Sequence, residues 1–210
     1  MRPPACVPLL VATVVSACVH PAAHVQSSTM APATTNAASV IVSVGDVGRI
    51  AGFTDLSPYQ SRDDSHPSHF PHDEVPQPCQ PAYQQDVAFG TGWTQFRSAV
   101  YVGETNTAPG QARAMVDIIQ GAAIYPDPTA ARAAFDRTAS SLTTCENLHT
   151  EGYEFTLDKK DNSTLVVDTG RFGIAFRVKS AVLVEVSVVG LTEYRQVASD
   201  VTQAMSARVN

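Results

Sequence analysis

Residues 172–189, FGIAFRVKSAVLVEVSVV, decide the fold that this chain can adopt. Apolar residues alternate with smaller or polar ones in both halves of this stretch, at Phe172, Ile174, Phe176 and Val178 and again at Val182, Val184, Val186 and Val188. A repeat of two residues places every second side chain on the same face of a β-strand. The stretch therefore predicts two strands of a β-hairpin with one face turned to a core.

The sequence upstream of this hairpin predicts further strands of the same sheet. Leu165 and Val167 repeat the alternation, and together with the segment 153–157 they complete a meander of four antiparallel strands. Two earlier segments, 92–102 and 115–125, are also rich in apolar residues. We expect both of them to join the sheet.

A helix is predicted immediately after the second of these segments. Asp127 precedes Pro128, and because Asp is a favoured N-cap and Pro is favoured at the first helical position, the helix should begin here and run to about Thr144. Residues at three- and four-residue steps place an apolar face on it, at Ala131, Phe135, Thr138, Leu142 and Cys145.

Two further helices are predicted at the ends of the folded region. Ser43 as an N-cap and Gly52 as a stop indicate a short opening helix. A stripe that follows Gly190 predicts a closing helix over one sheet face, at Leu191, Tyr194, Ala198, Val201 and Met205. The fold class is therefore α+β, an antiparallel β-sheet flanked by helices in a single domain over residues 40–210.

The N-terminus indicates export. Residues 1–17 carry one cation and an apolar stretch that is too short to span a membrane, which is typical of a signal peptide. The run Val15-Ser16-Ala17-Cys18 is similar to a bacterial lipobox, in which the cysteine is acylated and becomes N-terminal. We predict that Cys18 carries a lipid anchor that holds the protein on the outer face of the cell membrane. The alternative is an ordinary signal peptide that is cut near Ala17.

Residues 18–39 are predicted to be a lipidated N-terminus and flexible tether. After Cys18 this segment consists mostly of Ala, Pro, Ser, Thr and His and carries no charged residue. Such a composition cannot bury enough apolar surface to order itself. The tether would hold the folded domain away from the membrane surface.

Cysteine usage agrees with an exported protein. Cys6 would be lost with the signal peptide and Cys18 acylated, which leaves Cys79 and Cys145. In an oxidising compartment an even remainder favours a disulfide between them. A metal site or a redox-active pair is the alternative, but no Cys-x-x-Cys spacing accompanies these residues.

Charge and hydropathy exclude two classes of protein. The formal net charge is −6, with 14 Lys and Arg against 20 Asp and Glu, so no basic surface exists to attract nucleic acid. No apolar run approaches the roughly 20 residues of a transmembrane helix, which excludes a multi-span channel or transporter.

The sequence contains few candidates for catalysis or metal binding. His66, His69 and His72 lie beside Asp73 and Glu74, but Pro67 and Pro71 break any helix that would align them, so a solvated loop is expected. No Gly-x-Ser-x-Gly motif places a nucleophilic serine. We therefore predict no catalytic residue, no metal site and no cofactor.

Three other features have structural interpretations. The residues from Asp158 through Lys159 and Lys160 to Asp161 are expected to form a solvated turn between two strands. Trp93, the only tryptophan, is expected to anchor the core, although it could line a pocket. The sequon Asn162-Ser163-Thr164 carries little weight in a bacterial lipoprotein.

The order of these features resembles the PknH-like extracellular domain family, which comprises the sensor domain of the mycobacterial serine/threonine kinase PknH and lipoproteins that share it. The resemblance spans residues 40–210. Its marks are the opening helix that begins with Ser43-Val44-Gly45-Asp46-Val47, the Pro-x-Cys segment at Cys79, the Gly92-Trp93 pair, the Tyr125-Pro126 step into an Ala-rich helix ending at Cys145, and the valine hairpin between Arg177 and Gly190.

The resemblance implies a non-catalytic domain with a cleft for an unidentified ligand. Family members usually carry a second cysteine pair around the late hairpin, where this chain has Gly170, Phe172 and Val189 instead. We expect this chain to keep only the disulfide between Cys79 and Cys145.

Three functional hypotheses follow from the sequence. The first is a cell-envelope lipoprotein that binds a small molecule, glycan, lipid or protein in that cleft, with residues that are unknown. The second is an envelope hydrolase. The third is a scaffold that docks a membrane protein partner through an apolar patch.

Overall fold

The predicted strands and helices follow one another along the chain in the predicted order, and α1 (Ala37–Val40), β1 (Leu56–Pro58), α3 (Gln85–Phe89) and a 3-10 helix are additional elements. The structure is a computed structural model that describes residues 35–59, 64–69, 74–105 and 113–210, all within one compact unit from Ala33 to Asn210. The predicted signal peptide, the lipidation site at Cys18 and most of the tether lie outside the described residues. In chain order the helices are α1 (Ala37–Val40), α2 (Val44–Ala51), α3 (Gln85–Phe89), α4 (Pro128–Leu148) and α5 (Tyr194–Ala207), with a 3-10 helix at Gln77–Ala82.

The strands form one antiparallel sheet of seven strands. They are β1 (Leu56–Pro58), β2 (Gln95–Glu104), β3 (Met115–Ile124), β4 (Thr156–Asp161), β5 (Thr164–Asp168), β6 (Phe172–Lys179) and β7 (Val182–Val189). Their spatial order is β1-β2-β3-β7-β6-β5-β4. The predicted hairpin of β6 and β7 and the four-stranded meander are confirmed. Pairing of β3 with β7 joins this meander to the earlier strands.

Both faces of the central strands are covered, whereas the alternation predicts one buried face. On one face, Leu183 and Phe176 pack with Phe135 and Leu142 of α4 in a first core. On the other face the even-numbered valines of β7 pack with residues of α5, α2 and α1 in a second core, among them Val201, Met205, Val47 and Val40. The central strands are buried on both faces because helices cover each face.

The helix boundaries follow the predicted capping residues. Ser43 accepts a hydrogen bond from the Asp46 backbone N–H, and Gly52 ends α2 in the left-handed conformation with φ of 61°. Asp127 accepts a hydrogen bond from the Ala130 N–H at 2.8 Å at the start of α4. This helix continues one turn beyond Thr144, and its five predicted core residues are all buried.

Two boundaries differ from the prediction. The tether was expected to extend to Ser39, but Ala37–Val40 forms a helical turn whose end residue Val40 is fully buried. The predicted strand at 153–157 instead lies at Thr156–Asp161, so the charged residues from Asp158 to Asp161 belong to β4 and the turn follows at Asn162 and Ser163. Because β4 is an edge strand, charged side chains keep it soluble and prevent pairing with another edge.

The disulfide between Cys79 and Cys145 is confirmed. Their Cα atoms lie 4.9 Å apart, and the bond links the 3-10 helix to α4. Both cysteines are buried in the first core. The disulfide therefore fixes the end of the proline-rich segment against the helix that covers one face of the sheet.

Among the described residues, no helix combines the length and the apolarity needed to cross a bilayer.

Candidate ligand-binding groove

A groove of about 560 Å³ lies between α5 and the outer strands of the sheet. Helix α5 packs mainly on β6 and β7, so it leaves the same face of β4 and β5 uncovered. The side chains that line this groove are predominantly polar. They are contributed by residues 156–168 of β4 and β5, by Arg177 of β6, and by residues 192–203, which precede α5 and form most of it.

Asp168 is held in the groove by three donors. The Tyr194 hydroxyl donates to its Oδ1 at 2.8 Å, and the Gly170 N–H donates to the same oxygen at 2.8 Å. Arg195 Nη1 lies 3.0 Å from its Oδ2. Burial opposes ionisation of Asp168, but the hydrogen bonds from Gly170 and Tyr194 and the charge of Arg195 together hold its pKa below the usual range.

A glycine positions the start of α5 over this carboxylate. A Cβ at Gly173 of β6 would lie 2.9 Å from a ring carbon of Tyr194 and 3.2 Å from the Cα of Arg195. The missing side chain lets the first turn of α5 approach the sheet closely. This approach brings the Tyr194 hydroxyl and the Arg195 guanidinium to the end of β5.

Four other charged groups on the groove walls also have partners. Arg177 donates to Gln203, and Lys160 forms an ion pair with Asp158. Asp161 accepts bonds from the Ser163 hydroxyl at 2.7 Å and from its N–H at 2.6 Å, and these bonds lower its pKa. Five acidic and three basic side chains line the groove, so it favours an uncharged or cationic polar ligand over an anion.

A second hollow, also of about 560 Å³, lies beside β2. Its polar groups serve the fold itself. Arg208 pairs with Asp46 at 3.2 Å, and the Tyr101 hydroxyl donates to the Val42 carbonyl at 2.7 Å. Burial raises the pKa of Tyr101, so this hydroxyl keeps its proton. These bonds attach the end of the chain to α2, and β2 to the segment that joins α1 and α2.

The histidines do not converge on a metal site in the part of the chain that is described. His69 Nδ1 lies 2.7 Å from Asp86 Oδ2, and His66 Nδ1 lies 3.0 Å from the Ser65 hydroxyl. His72 and Asp73 lie outside the described residues. Among residues 35–59, 64–69, 74–105 and 113–210, no three potential metal-ligating side chains lie together.

Trp93 packs at the edge of the first core, as expected of a core anchor. Its indole N–H donates to the Gly90 carbonyl at 3.1 Å, and its ring contacts Phe96 with centroids 5.8 Å apart. His66 meets the same indole edge-on, also at 5.8 Å. Trp93 is therefore part of the packing that holds the segment 64–69 to the domain.

The comparisons with known proteins place the chain in a family. The sequence profile of the PknH-like extracellular domain matches residues 32–208. The chain belongs to this family. Among solved structures, the extracellular domain of PknH from Mycobacterium tuberculosis is similar with a TM-score of 0.57 at 19% sequence identity, over 82% of this chain and 94% of that one. At this identity the likeness shows a shared fold alone. No curated protein matches the chain.

Sequence analysis named only some of the residues that line the groove of this PknH-like domain. Asp158, Lys160 and Asp161, expected to be a solvated turn, line one wall. Asp168, Tyr194 and Arg195 were missed as a site. The chain separates Asp168 from Tyr194 by 26 residues, so only the crossing of α5 over β6 brings them together.

Sequence reasoning also missed a buried acid. Glu185 interrupts the valines of β7, and its side chain lies in the interior with only 7% of the residue exposed. Burial raises the pKa of Glu185 to about 8, although a hydrogen bond from Gln85 opposes the shift. A lone acid at a buried position of an apolar strand was the signal that could have identified it.

Proposed function

We propose that this chain is an exported, lipid-anchored domain that binds a small polar molecule in the groove between α5 and β4, without chemical conversion. The observation that carries this proposal is the cluster of Asp168, Tyr194 and Arg195. The hydroxyl and the guanidinium are held by the carboxylate at the groove wall, and exposed edges of all three groups remain for a ligand. Fixed polar groups of this kind orient a ligand at low entropic cost.

Export and anchoring are supported by the N-terminal sequence and by the family. The matched family is described as an extracellular domain, and residues 1–17 have the composition of a signal peptide. Acyl chains on Cys18 would contribute about 0.8 kcal/mol for each buried CH2, so a multiply acylated cysteine holds the chain on a membrane. The domain would then present its groove to the space outside the cytoplasm.

The lining of the groove supports binding without catalysis. It contains no histidine and no cysteine, and its serine, Ser199, donates to the Arg195 carbonyl of its own helix at 2.9 Å. A nucleophilic serine needs a base within hydrogen-bond reach. Three acids of the groove, Asp158, Asp161 and Asp168, are paired with lysine, hydroxyl or arginine donors, which favours positioning of a ligand over proton transfer.

The binding proposal is tested with three forms of the full chain. Wild-type protein, Arg195→Ala and Arg97→Ala are incubated with a small-molecule extract of bacterial envelope, and retained compounds are identified by mass spectrometry. Arg97 is a matched control because its exposed ion pair with Asp64 lines the second hollow. We expect a compound that wild type and Arg97→Ala retain and that Arg195→Ala loses by roughly tenfold. Retention by no form, or equal retention by all three, would contradict the proposal.

The alternative of an envelope hydrolase rests on Ser65 and His66. The Ser65 hydroxyl lies 3.0 Å from His66 Nδ1 on the surface of the domain. If this pair were catalytic, the full chain would hydrolyse an activated ester such as 4-nitrophenyl acetate, and Ser65→Ala would abolish the activity. We expect wild type and Ser65→Ala to give the same background rate.

The scaffold alternative receives no specific support. The large apolar side chains that are exposed in the described residues are Tyr59, Met115 and Leu148, which lie on three different parts of the domain. Single exposed apolar residues are normal on a soluble surface and do not form a docking patch.

A further inference from the structure

Two polar contacts between the sheet and α5 mark the ends of the groove. The first is the cluster of Asp168, Tyr194 and Arg195 that carries the proposed function. The second is formed by Arg177 of β6, which donates a hydrogen bond to Gln203 near the end of α5. Each contact joins a strand to the helix, and all five side chains line the groove.

The two walls of the groove run side by side and agree on its length. Arg177 pairs in register with Thr164, the first residue of β5, whereas Asp168 is the last residue of that strand. The strand from Thr164 to Asp168 spans about 13 Å. Along α5, the rise from Tyr194 to Gln203 is about 14 Å. The end contacts are therefore about 13–14 Å apart on both walls.

The groove is about one chain wide. Its volume of about 560 Å³ over a length of about 14 Å corresponds to a mean cross-section of about 40 Å². An extended chain packed in a β-sheet occupies about 4.8 Å by 10 Å, which is a similar area. The shape therefore fits a narrow, elongated ligand that lies parallel to the strands.

Hydrogen-bond donors and acceptors are mixed along the whole groove. Among the described side chains that line it, Val166 alone has no polar atom. Gln196 donates to Asp200 at 2.9 Å on the helical wall, and Asp158 pairs with Lys160 on the strand wall. Each of these pairs keeps further donor and acceptor capacity for a ligand. A ligand that fills the groove must therefore offer both functions along its length.

The geometry points to a short, uncharged, linear oligosaccharide as the ligand of this groove, an inference that rests on the proposed binding function. A sugar hydroxyl both donates and accepts hydrogen bonds, and hydroxyls on neighbouring ring carbons repeat this pattern at every unit of the chain. Arg177 and Gln203 bind the sugar unit that lies farthest from Asp168. They set the chain length that the groove prefers.

Other polar ligands match the groove less well. An anion offers acceptors alone and would meet five acidic and three basic side chains. A polyamine offers donors alone, and Lys160, Arg177 and Arg195 would repel it along the groove. A bound peptide strand pairs its backbone with the edge of a sheet, whereas this groove lies on the face of β4 and β5, where side chains are presented.

The experiment measures retention of oligosaccharides by the full chain. The probe is a partial acid hydrolysate of bacterial envelope from which cation- and anion-exchange resins have removed all charged compounds, and retained sugars are identified by mass spectrometry. Wild type should retain trisaccharides and longer chains more strongly than disaccharides, because only the longer chains reach both end contacts.

Gln203→Ala tests the end of the groove that the proposed function does not include. Gln203 is exposed and alanine favours helix, so this change should leave the fold intact. Retention of trisaccharides should fall about five- to tenfold, to the level of disaccharides, since one hydrogen-bonding partner is lost. Gln77→Ala is the matched control and should behave as wild type. Gln77 is exposed on the 3-10 helix that packs on α4, on the opposite face of the sheet.

Periodate treatment of the probe tests the chemical class of the ligand. Periodate cleaves the carbon–carbon bond between neighbouring hydroxyl groups, and it is removed before the protein is added. Retention by wild type should then be lost. A peptide or an amine without such hydroxyls would still be retained.

Three results would overturn the oligosaccharide assignment. They are the absence of any retained neutral oligosaccharide, retention that survives periodate, and equal retention of trisaccharides by Gln203→Ala and wild type. The proposed function would stand if wild type instead retained an ionic compound from the whole small-molecule extract that Arg195→Ala loses. Retention of nothing from that extract would contradict both.

Discussion

The hydroxyl of Tyr194 donates a 2.8 Å hydrogen bond to Asp168, which joins the first turn of α5 to the last residue of β5. The bond raises the pKa of Tyr194 and contributes to the lowered pKa of Asp168. The bond therefore connects the stability of the domain to the protonation of Asp168 in the groove.

Removal of this hydroxyl should lower the stability of the domain at neutral pH more than at acid pH. Because the folded-state pKa of Asp168 lies below its ordinary value of 3.8, its ionised form stabilises the fold above that pH, and the contribution is lost as pH falls below it. Tyr194→Phe should lower the free energy of unfolding at pH 7 by about 1 kcal/mol. The difference from wild type should shrink on acidification in urea melts. A difference that stays constant from pH 7 to pH 2 would contradict this account.

Glu185 should cause the opposite pH dependence. Its pKa is raised from 4.5 to about 8 in the folded state, so the unfolded chain releases this proton first and stability falls as pH rises through that interval. The total fall is on the order of 4–5 kcal/mol if Glu185 acts alone. The Glu185→Gln side chain cannot ionise. Its free energy of unfolding, measured by denaturant melts, should therefore increase relative to that of wild type between pH 5 and pH 8. Parallel curves for the two proteins would show that Glu185 is not protonated in the interior.

The disulfide should stabilise the oxidised protein alone. It closes a loop with a sequence separation of 66 residues, for which the chain-entropy estimate is about 4 kcal/mol. Cys145→Ser should lower the unfolding midpoint of oxidised protein and leave reduced protein nearly unchanged. Calorimetry with and without a reductant makes the comparison. Equal melting of oxidised wild type and the variant would refute the predicted contribution.

Among the glycines that the structure describes, Gly190 should tolerate substitution least. It lies after β7 with φ of 82°, and a Cβ there would overlap the Met115 carbonyl oxygen, which belongs to the backbone and cannot turn aside. Gly152 has φ of 84° with open space around it, so it provides a matched control for backbone strain. Gly152→Ala should cost about 1–2 kcal/mol and Gly190→Ala about 1–3 kcal/mol more. Similar costs for both would mean that the contact with Met115 relaxes freely.

Local patterns in the sequence predicted most of the elements. The alternation at 172–189 and the Asp127-Pro128 step each depend on a few neighbouring residues, and β6, β7 and α4 form where these patterns place them. Local patterns failed at β4, since its charged residues resemble a turn. Only its position at the sheet edge explains why they form a strand.

The sites could not be predicted because they depend on contacts between distant segments. Asp168 meets Tyr194 through the path of α5, and Glu185 meets Gln85 through the pairing of β3 with β7 and the docking of α3. The sequence showed Gly121 as one small residue in an apolar strand. The structure shows why a glycine is needed there, because the Gln85 amide occupies the space that a side chain at position 121 would take.

The most direct test of an exported, anchored binding domain is the intact mass of the protein isolated from the membrane of a bacterial host, with Cys18→Ser as the control. The account predicts a chain that begins at Cys18, carries a fatty adduct and is lighter by two hydrogens for the bond between Cys79 and Cys145. The control should be soluble and lack the adduct. Wild-type protein with no fatty adduct and two free thiols would contradict the account.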